Sequence, residues 1–196
     1  MTASSPSTGT RAKIIDAAIS LMRRRGFHGA GINEILRESG APKGSIYYFF
    51  PEGKRQIAQE AISVYAQRVL AYMDESLSSA EDPHAKVKAL FRAVERRFEQ
   101  AELRQSCAAG AACLDLDDDL EGVRIAIKTM FVDCMDVVSK HFAIPDHRRR
   151  RSFAGLVLTV IEGAYIRARA EQSTQPFREA AGWLGDIAER EVSESA

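Results

Sequence analysis

Cysteine is scarce in this chain of 196 residues, and its spacing excludes the usual cysteine-based sites. Only Cys107, Cys113 and Cys134 are present, an odd number without a C-x-x-C pair. A disulfide framework and a finger-type zinc site both need ordered cysteine pairs. We therefore expect no disulfide scaffold and no cysteine-based zinc site. No other part of the sequence leads us to expect a metal site or a cofactor. We interpret the three thiols as small core residues, because oxidant sensing would require exposure and a lowered pKa.

Long apolar runs and alternating apolar patterns are also missing. No stretch of 18 apolar residues occurs and the N-terminus has no apolar signal core, so we expect no membrane span and a cytoplasmic protein. No segment alternates with the period of two that a half-buried strand requires. Apolar residues recur instead at helical spacing in nine segments. This pattern predicts an all-α fold of nine helices.

The chain has no overall excess of charge, but its two parts differ. It contains 27 basic and 27 acidic residues. Residues 1–60 hold 9 basic and 5 acidic residues, whereas residues 61–196 hold 18 and 22. A basic first part and an acidic remainder favour a nucleic-acid module joined to a second domain. We predict a disordered tail at 1–9, a helix-turn-helix DNA-binding domain at 10–53 and a second domain at 54–192.

Residues 31–50 have the pattern of two short helices separated by a turn. Ile32 and Ile35 share one helical face, Gly40 is typical of a helix end, and Pro42 suits the start of the next helix. The second helix carries small, hydroxyl-bearing and cationic side chains, as a helix that enters a DNA groove requires. The residues predicted on that outer face are Lys43, Gly44, Ser45, Tyr47 and Tyr48.

Residues 10–60 resemble the DNA-binding domain of the TetR family of transcriptional repressors. The most specific piece is Gly40–Phe50, in which Gly-Ser-Ile-Tyr-Tyr-Phe-Phe follows a Gly-Ala-Pro-Lys turn. The resemblance implies a two-domain, nine-helix, non-enzymatic regulator that binds a palindromic double-stranded DNA operator as a homodimer. It also implies release of the operator by a small apolar or cationic effector.

Two departures from the family pattern resemble its LmrA and YxaF branch, whose members are typically repressors of drug-efflux or drug-modification genes. Ala30 and Gly31 stand where the family usually has two threonines, so a helix-capping hydroxyl that can reach a phosphate is absent. The segment Phe50–Lys54 is one residue longer than the usual Phe-x-x-Lys.

The resemblance also assigns roles to individual residues near the DNA. Lys43 and Ser45 are expected to read base edges, and Gly44 to allow the helix to approach closely. Phosphate contacts are expected from Tyr47, Tyr48 and Lys54. The alternative is a solvated surface on a small three-helix core.

In the second domain the resemblance implies an effector pocket between helices and a dimer interface built as a four-helix bundle. The expected pocket wall is aromatic and apolar, with plain core packing as the alternative: Phe91, Val94, Phe98, Met130, Phe131 and Cys134. The expected interface follows two broad apolar stripes: Phe153, Leu156, Val157, Val160, Phe177, Trp183 and Leu184.

Three other sets of polar residues are given structural interpretations. Arg148–Arg151 are expected to pair with nearby acids rather than make a second contact with nucleic acid. Asp115–Glu121 are expected to cap the following helix, since Leu120 and Ala126 stand where a calcium loop needs Gly and Glu. The histidines lack metal-binding spacing and are expected at the surface: His28, His84, His141 and His147.

Two other functions remain open. One is a DNA-binding regulator of the same fold without a small-molecule effector. The other is an all-α enzyme, which is disfavoured because the sequence shows no Ser-His-Asp set, no paired histidine ligands and no glycine-rich phosphate loop.

Overall fold

The computed structural model describes residues 8–193, and this part of the chain is almost entirely helical. Its helices are α1 (Thr8–Arg25), α2 (Ile32–Ser39), α3 (Lys43–Phe49), α4 (Lys54–Ser78), α5 (Pro83–Gln100), α6 (Ala108–Cys113), α7 (Glu121–Lys140), α8 (His147–Glu171) and α9 (Gln175–Ser193). Nine helices and no strand among residues 8–193 confirm the predicted all-α fold. No helix in this range is long and apolar enough to cross a membrane.

The first helix begins two residues earlier than predicted, inside the predicted N-terminal tail at 1–9. Helix α1 begins at Thr8, so Thr8 and Gly9 are helical rather than disordered. Residues 1–7 of the predicted tail lie outside the described residues.

The chain forms two compact units. Among the described residues, the first comprises 8–66 and 107–130, and the second comprises 67–106 and 131–193. The predicted boundary between residues 53 and 54 lies inside the first unit, because α4 begins at Lys54 and remains in that unit up to Ala66.

The first unit has an apolar core supplied by α1 and by the helices that follow it. Ile14 and Leu21 of α1 are buried, and so are Ile35 of α2 and Ile46 of α3. Phe27 is also buried and fills the core from the loop after α1, as its position after Gly26 predicts. Helices α2 and α3 are short, so their stability depends on this packing rather than on propensity.

The second unit is built on α5, which packs against α9. An aromatic cluster lies at its centre, where the ring of Phe98 is 5.8 Å from Tyr165 and 5.6 Å from Phe177 in edge-to-face geometry. Asp82 caps α5 by accepting from the Ala85 amide, and Pro83 occupies the first turn. These two residues explain why α5 begins where it does.

Candidate nucleic-acid interface

Helices α2 and α3 form the predicted helix-turn-helix, and glycine sets the turn between them. Gly40 ends α2 with φ of 63°, a left-handed conformation that favours glycine. Pro42 is the N-cap of α3 rather than its first helical residue, and Lys43 begins the helix. Gly31 caps α2 without a side-chain hydrogen bond, as the missing threonine predicts.

Helix α3 exposes four of its five residues predicted to face DNA. Lys43 and Gly44 are exposed at its first turn, where the free backbone N–H groups and the dipole favour phosphate. Tyr47 and Tyr48 are 61% and 62% exposed, a large fraction for aromatic residues. Basic, small and hydroxyl-bearing groups therefore share one open surface.

Ser45 is the exception, and its assignment as a base reader needs correction. Only 1% of the residue is exposed, and its Oγ has no hydrogen-bond partner. Ser45 immediately precedes the buried Ile46, and both side chains face the core. In so short a helix, residues that lie within about half of the circumference can face the core together. Its hydroxyl cannot reach a base edge from this position.

Lys54 lies at the start of α4 as predicted, but much of its side chain is engaged within the unit. Its Nζ donates to the backbone carbonyl of His28 at 3.1 Å and lies 4.3 Å from the centre of the Phe27 ring. Burial lowers the pKa of Lys54, and the negative charge of Asp115 opposes that shift. Lys54 therefore supports the loop between α1 and α2 in addition to its predicted contact with a phosphate.

Asp115 binds the same loop from the segment that follows α6. Its carboxylate accepts from the Phe27 amide at 3.0 Å and from the His28 amide at 2.7 Å. Gly26 has φ of 71°, and a Cβ at this residue would come within 2.8 Å of an Asp115 oxygen. Both the backbone conformation and the approach of Asp115 therefore require glycine here.

Two further acids of this segment contact the loop after α1 and the first turn of α4. Asp117 lies 3.0 Å from His28 Nε2, and Asp119 lies 3.4 Å from Arg55. Only Glu121 belongs to the start of α7, where it pairs with Arg124. The expectation that the acidic run caps α7 is thus wrong for Asp115, whose two acceptor oxygens are used by the loop after α1.

The residues predicted for the effector pocket are mostly buried. Phe91, Val94 and Phe98 lie on one side of α5, and Cys134 is also buried. Met130 is buried in the first unit, whereas Phe131 is half-buried in the second. Burial raises the pKa of the Cys134 thiol to about 12, with Asp133 and Glu162 adding to the effect. That pKa excludes Cys134 as a reactive thiolate near neutral pH.

Some of the residues predicted for the dimer interface are buried in the core of the second unit, and others lie at its surface. Phe153, Val157 and Phe177 are buried within the second unit, where Phe153 packs on Phe142 with ring centres 5.0 Å apart. Their assignment to the interface is therefore corrected. Leu184 is buried as well, although it lies at the floor of the groove described next.

An apolar groove runs between α8 and α9 in the second unit. Leu156, Val160 and Trp183 line it together with Leu184, and its volume is about 610 Å³. Trp183 is 74% exposed. The prediction did not include Ile166 and Ile187, which also line the groove. Ile187 belongs to the apolar stripe of α9 that the sequence shows, whereas Ile166 lies outside the stripe at 153–164 and had no such signal.

Two arginines of the run at the start of α8, Arg149 and Arg151, pair with acids as predicted. Arg149 contacts Glu191 through two nitrogens, at 2.5 and 3.0 Å. Arg151 pairs with Asp136, and Arg150 donates to the carbonyl of Ile144. These partners support the structural interpretation of the run.

Comparison with known proteins identifies the family. Residues 14–61 match the model of the bacterial regulatory proteins of the tetR family. Residues 83–182, just over half of the chain, match the LmrA/YxaF-like C-terminal domain of transcriptional regulators. The chain belongs to the TetR family, in its LmrA/YxaF-like group. This match confirms the LmrA/YxaF branch, which the departures at Gly31 and at residues 50–54 predicted.

Individual relatives agree with this family assignment. The HTH-type transcriptional regulator LmrA of Bacillus subtilis is 26% identical over 183 residues, which is 92% of this chain and 97% of that protein. The uncharacterized HTH-type transcriptional regulator YxaF of the same organism is 36% identical over 47% of this chain and 49% of its own. This TetR-family chain is therefore a DNA-binding transcriptional regulator.

Solved structures share the fold at low sequence identity. A TetR transcriptional regulator from Legionella pneumophila superposes with a TM-score of 0.80 at 18% identity, covering 95% of this chain and 99% of its own. A cysteine mutant of the TetR-family regulator CifR, complexed with 26-bp double-strand operator DNA, has a TM-score of 0.74 at 19% identity, covering 98% and 100%.

Proposed function

We propose that this regulator is a homodimeric repressor that binds a palindromic operator and is released from it by a small apolar or cationic ligand. The observation that carries the proposal is the exposed surface of α3 in a TetR-family helix-turn-helix. A helix of seven residues contacts few base pairs, so a specific operator requires a second copy related by two-fold symmetry.

The groove between α8 and α9 supports association of two chains. Trp183, Leu156 and Ile166 are exposed apolar residues that lie close together, and such patches mark interaction sites on soluble proteins. Arg167 at its rim pairs with Glu171 at 2.9 Å and with Glu179 at 3.2 Å. An apolar centre with a charged rim is the usual composition of a specific interface.

The DNA contacts are assigned from exposure and chemistry. Lys43 and Gly44 lie at the N-terminus of α3, Tyr47 and Tyr48 offer hydroxyl groups, and Lys54 supplies a positive charge nearby. We expect Lys43 to read bases and the other side chains to hold phosphates. Replacement of Lys54 by Ala should then weaken binding to every duplex alike, because phosphate contacts carry no sequence information.

Ligand release requires that the effector bind the two states of the protein with different affinity. The buried aromatic and apolar residues of α5 would supply an apolar binding surface. The competing function is a regulator of the same fold that has no small ligand. Burial of Phe91, Val94 and Phe98 is compatible with an enclosed pocket and with a filled core.

Fluorescence anisotropy with a labelled operator separates these functions. We expect two chains per operator and dissociation when a compound from a panel of apolar and cationic molecules is added. A dimer that binds its operator but responds to no compound would support the regulator without effector. A single chain that saturates the palindrome would contradict the dimeric repressor.

A further inference from the structure

A cluster of potential metal ligands lies in the second unit. Asp82 and His84 belong to the start of α5, and Glu189 lies near the end of α9. Each residue offers one ligand atom, and these atoms are all within 4.8 Å of one another. Asp186, one turn before Glu189, brings a carboxylate oxygen to 3.6 Å from His84 Nε2.

The packing of α5 on α9 holds the histidine in place. Gly185 is buried, and any Cβ at this position would overlap the imidazole ring of His84. The glycine therefore leaves room for the ring against the α9 backbone. One oxygen of Asp82 accepts from the Ala85 amide at 2.7 Å, which orients the carboxylate while leaving its second oxygen available. A ligand set with such supporting contacts is preorganised.

The carboxylates of this cluster lack a cationic partner, unlike the other acids of the same two helices. Within residues 8–193, no Lys or Arg forms an ion pair with Asp82, Asp186 or Glu189. By contrast, Glu95 pairs with Arg178 and Glu191 pairs with Arg149. Three carboxylates gathered around one imidazole repel one another, and a bound cation would remove that repulsion.

We propose that Asp82, His84 and Glu189 bind a divalent transition-metal ion of the zinc type, with Asp186 beside the site. One imidazole nitrogen and carboxylate oxygens suit such ions, whereas Ca²⁺ and Mg²⁺ prefer sites made of oxygen alone. Tetrahedral Zn²⁺ holds N and O ligands at about 2.1 Å, so ligand atoms lie about 3.4 Å apart. Rotation of the exposed Glu189 side chain provides the small closure that this geometry needs.

The metal would join the first turn of α5 to the last part of α9. Its ligand on α9 is Glu189, with Asp186 one turn before it. Glu189 lies about 120° around α9 from Trp183 and about 160° from Ile187, so the metal ligand and the apolar groove use different faces of the helix. The spacing of the histidines could not reveal the site, because its ligands come from distant parts of the chain.

The test is a titration of chelator-treated, full-length protein with ZnCl₂ by isothermal calorimetry, together with thermal unfolding. We expect one Zn²⁺ per chain and a higher unfolding temperature with the metal. The variants His84→Ala and Glu189→Gln should each lower the zinc affinity at least tenfold. Glu189 is exposed, so its variant tests the site even if loss of His84 disturbs packing. Mg²⁺ and Ca²⁺ in separate titrations should bind far more weakly.

Matched controls exclude the other exposed zinc-binding groups. The variants His147→Ala, His28→Ala and Cys113→Ser should bind Zn²⁺ like the wild type. No saturable binding by the wild type, or equal binding by wild type, His84→Ala and Glu189→Gln, would overturn the proposal. So would loss of binding in Cys113→Ser or His28→Ala, because the ion would then lie elsewhere. Operator binding is measured separately, so failure of the metal site leaves the proposed function untouched.

Discussion

Gly31 is the residue at which this chain departs most clearly from its family, and the structure shows the physical effect. It caps α2 with backbone atoms alone, and a Cβ added there would meet no atom within 4 Å. The missing hydroxyl leaves an amide of the first turn of α2 without its usual acceptor. In the proposed function, we expect more of the DNA anchoring to depend on α3 and Lys54.

Gly31→Ser should therefore strengthen both α2 and operator binding. The cap should stabilise the fold by a few tenths of a kcal/mol relative to glycine. A new phosphate contact worth about 0.5–1.5 kcal/mol would raise operator affinity roughly two- to tenfold. Gly31→Ala is the control, since it adds a Cβ without the hydroxyl. Equal operator affinity for the Ser and Ala variants would show that no phosphate contact forms.

Replacement of Ser45 tests whether this residue is a buried core residue, as the structure shows, or a base reader. Its buried hydroxyl has no partner, so Ser45→Ala should stabilise the protein by about 1 kcal/mol and leave sequence preference unchanged. Lys43→Ala, at an exposed position of the same helix, should alter that preference. Thermal unfolding and binding to single-base operator variants measure the two effects. A changed base preference in Ser45→Ala would restore Ser45 as a base reader.

The three thiols should differ in reactivity. Cys113 is exposed, Cys107 and Cys134 are buried, and the pKa of Cys134 is raised to about 12. Because the thiolate is the reactive form, a maleimide at neutral pH should modify Cys113 first, and Cys113→Ser should abolish the fast phase. Mass spectrometry of the labelled protein would identify the site. Fast modification of Cys134 would contradict its burial.

At the scale of elements, the helices were predictable because each has an apolar face or a strong terminal signal. Gly40, for example, marked the end of α2. The direction of side chains on the short helix α3 was not predictable in the same way. Seven residues give too few turns to define a stripe, so Ser45 was placed on the wrong side.

The segment after α6 has a role that its sequence concealed. An acidic run before a helix ordinarily complements the helix dipole. Here Asp115 instead accepts hydrogen bonds from two backbone amides of the loop between α1 and α2. These amides are 87 and 88 residues away along the chain. Only the folded chain brings these groups together, so the spacing of residues near Asp115 could not predict the contact.

Asp115→Ala should loosen the loop at residues 26–30. Loss of both acceptor oxygens leaves the Phe27 and His28 amides without their partner, which should cost about 1–3 kcal/mol. Asp115→Asn retains one acceptor and should lie between Ala and wild type. Hydrogen exchange of this loop, together with thermal unfolding, measures the effect. Wild-type protection in Asp115→Ala would show that the carboxylate does not hold the loop.

At the scale of the whole molecule, the fold class and family were predictable, but the division of α8 and α9 between core and surface was not. Both helices carry broad apolar stripes, and a stripe alone does not separate the face that packs internally from the face left open. Phe153 and Phe177 pack within the unit, whereas Leu156 and Trp183 remain exposed. That distinction depends on which helices fill the space beside them.

Trp183→Arg should convert a dimer to monomers and reduce operator affinity at least tenfold. A buried charge at the centre of an apolar interface has no partner, and its desolvation opposes association. Ile125→Arg is the control, because Ile125 is exposed outside the groove. Light scattering would give the mass of each variant. A Trp183→Arg protein that remains dimeric would show that the groove is not the interface.

The most direct test of the central claim is selection of bound sequences from a library of random duplexes by the wild-type protein. A two-fold dimer reading DNA through α3 should enrich a palindrome whose half-sites are about one helical turn, 10–10.5 bp, or a multiple of it apart. Lys43→Ala should enrich an altered half-site. Failure of the wild type to enrich any palindrome would contradict the assignment of α3 as the reading helix of a dimeric regulator.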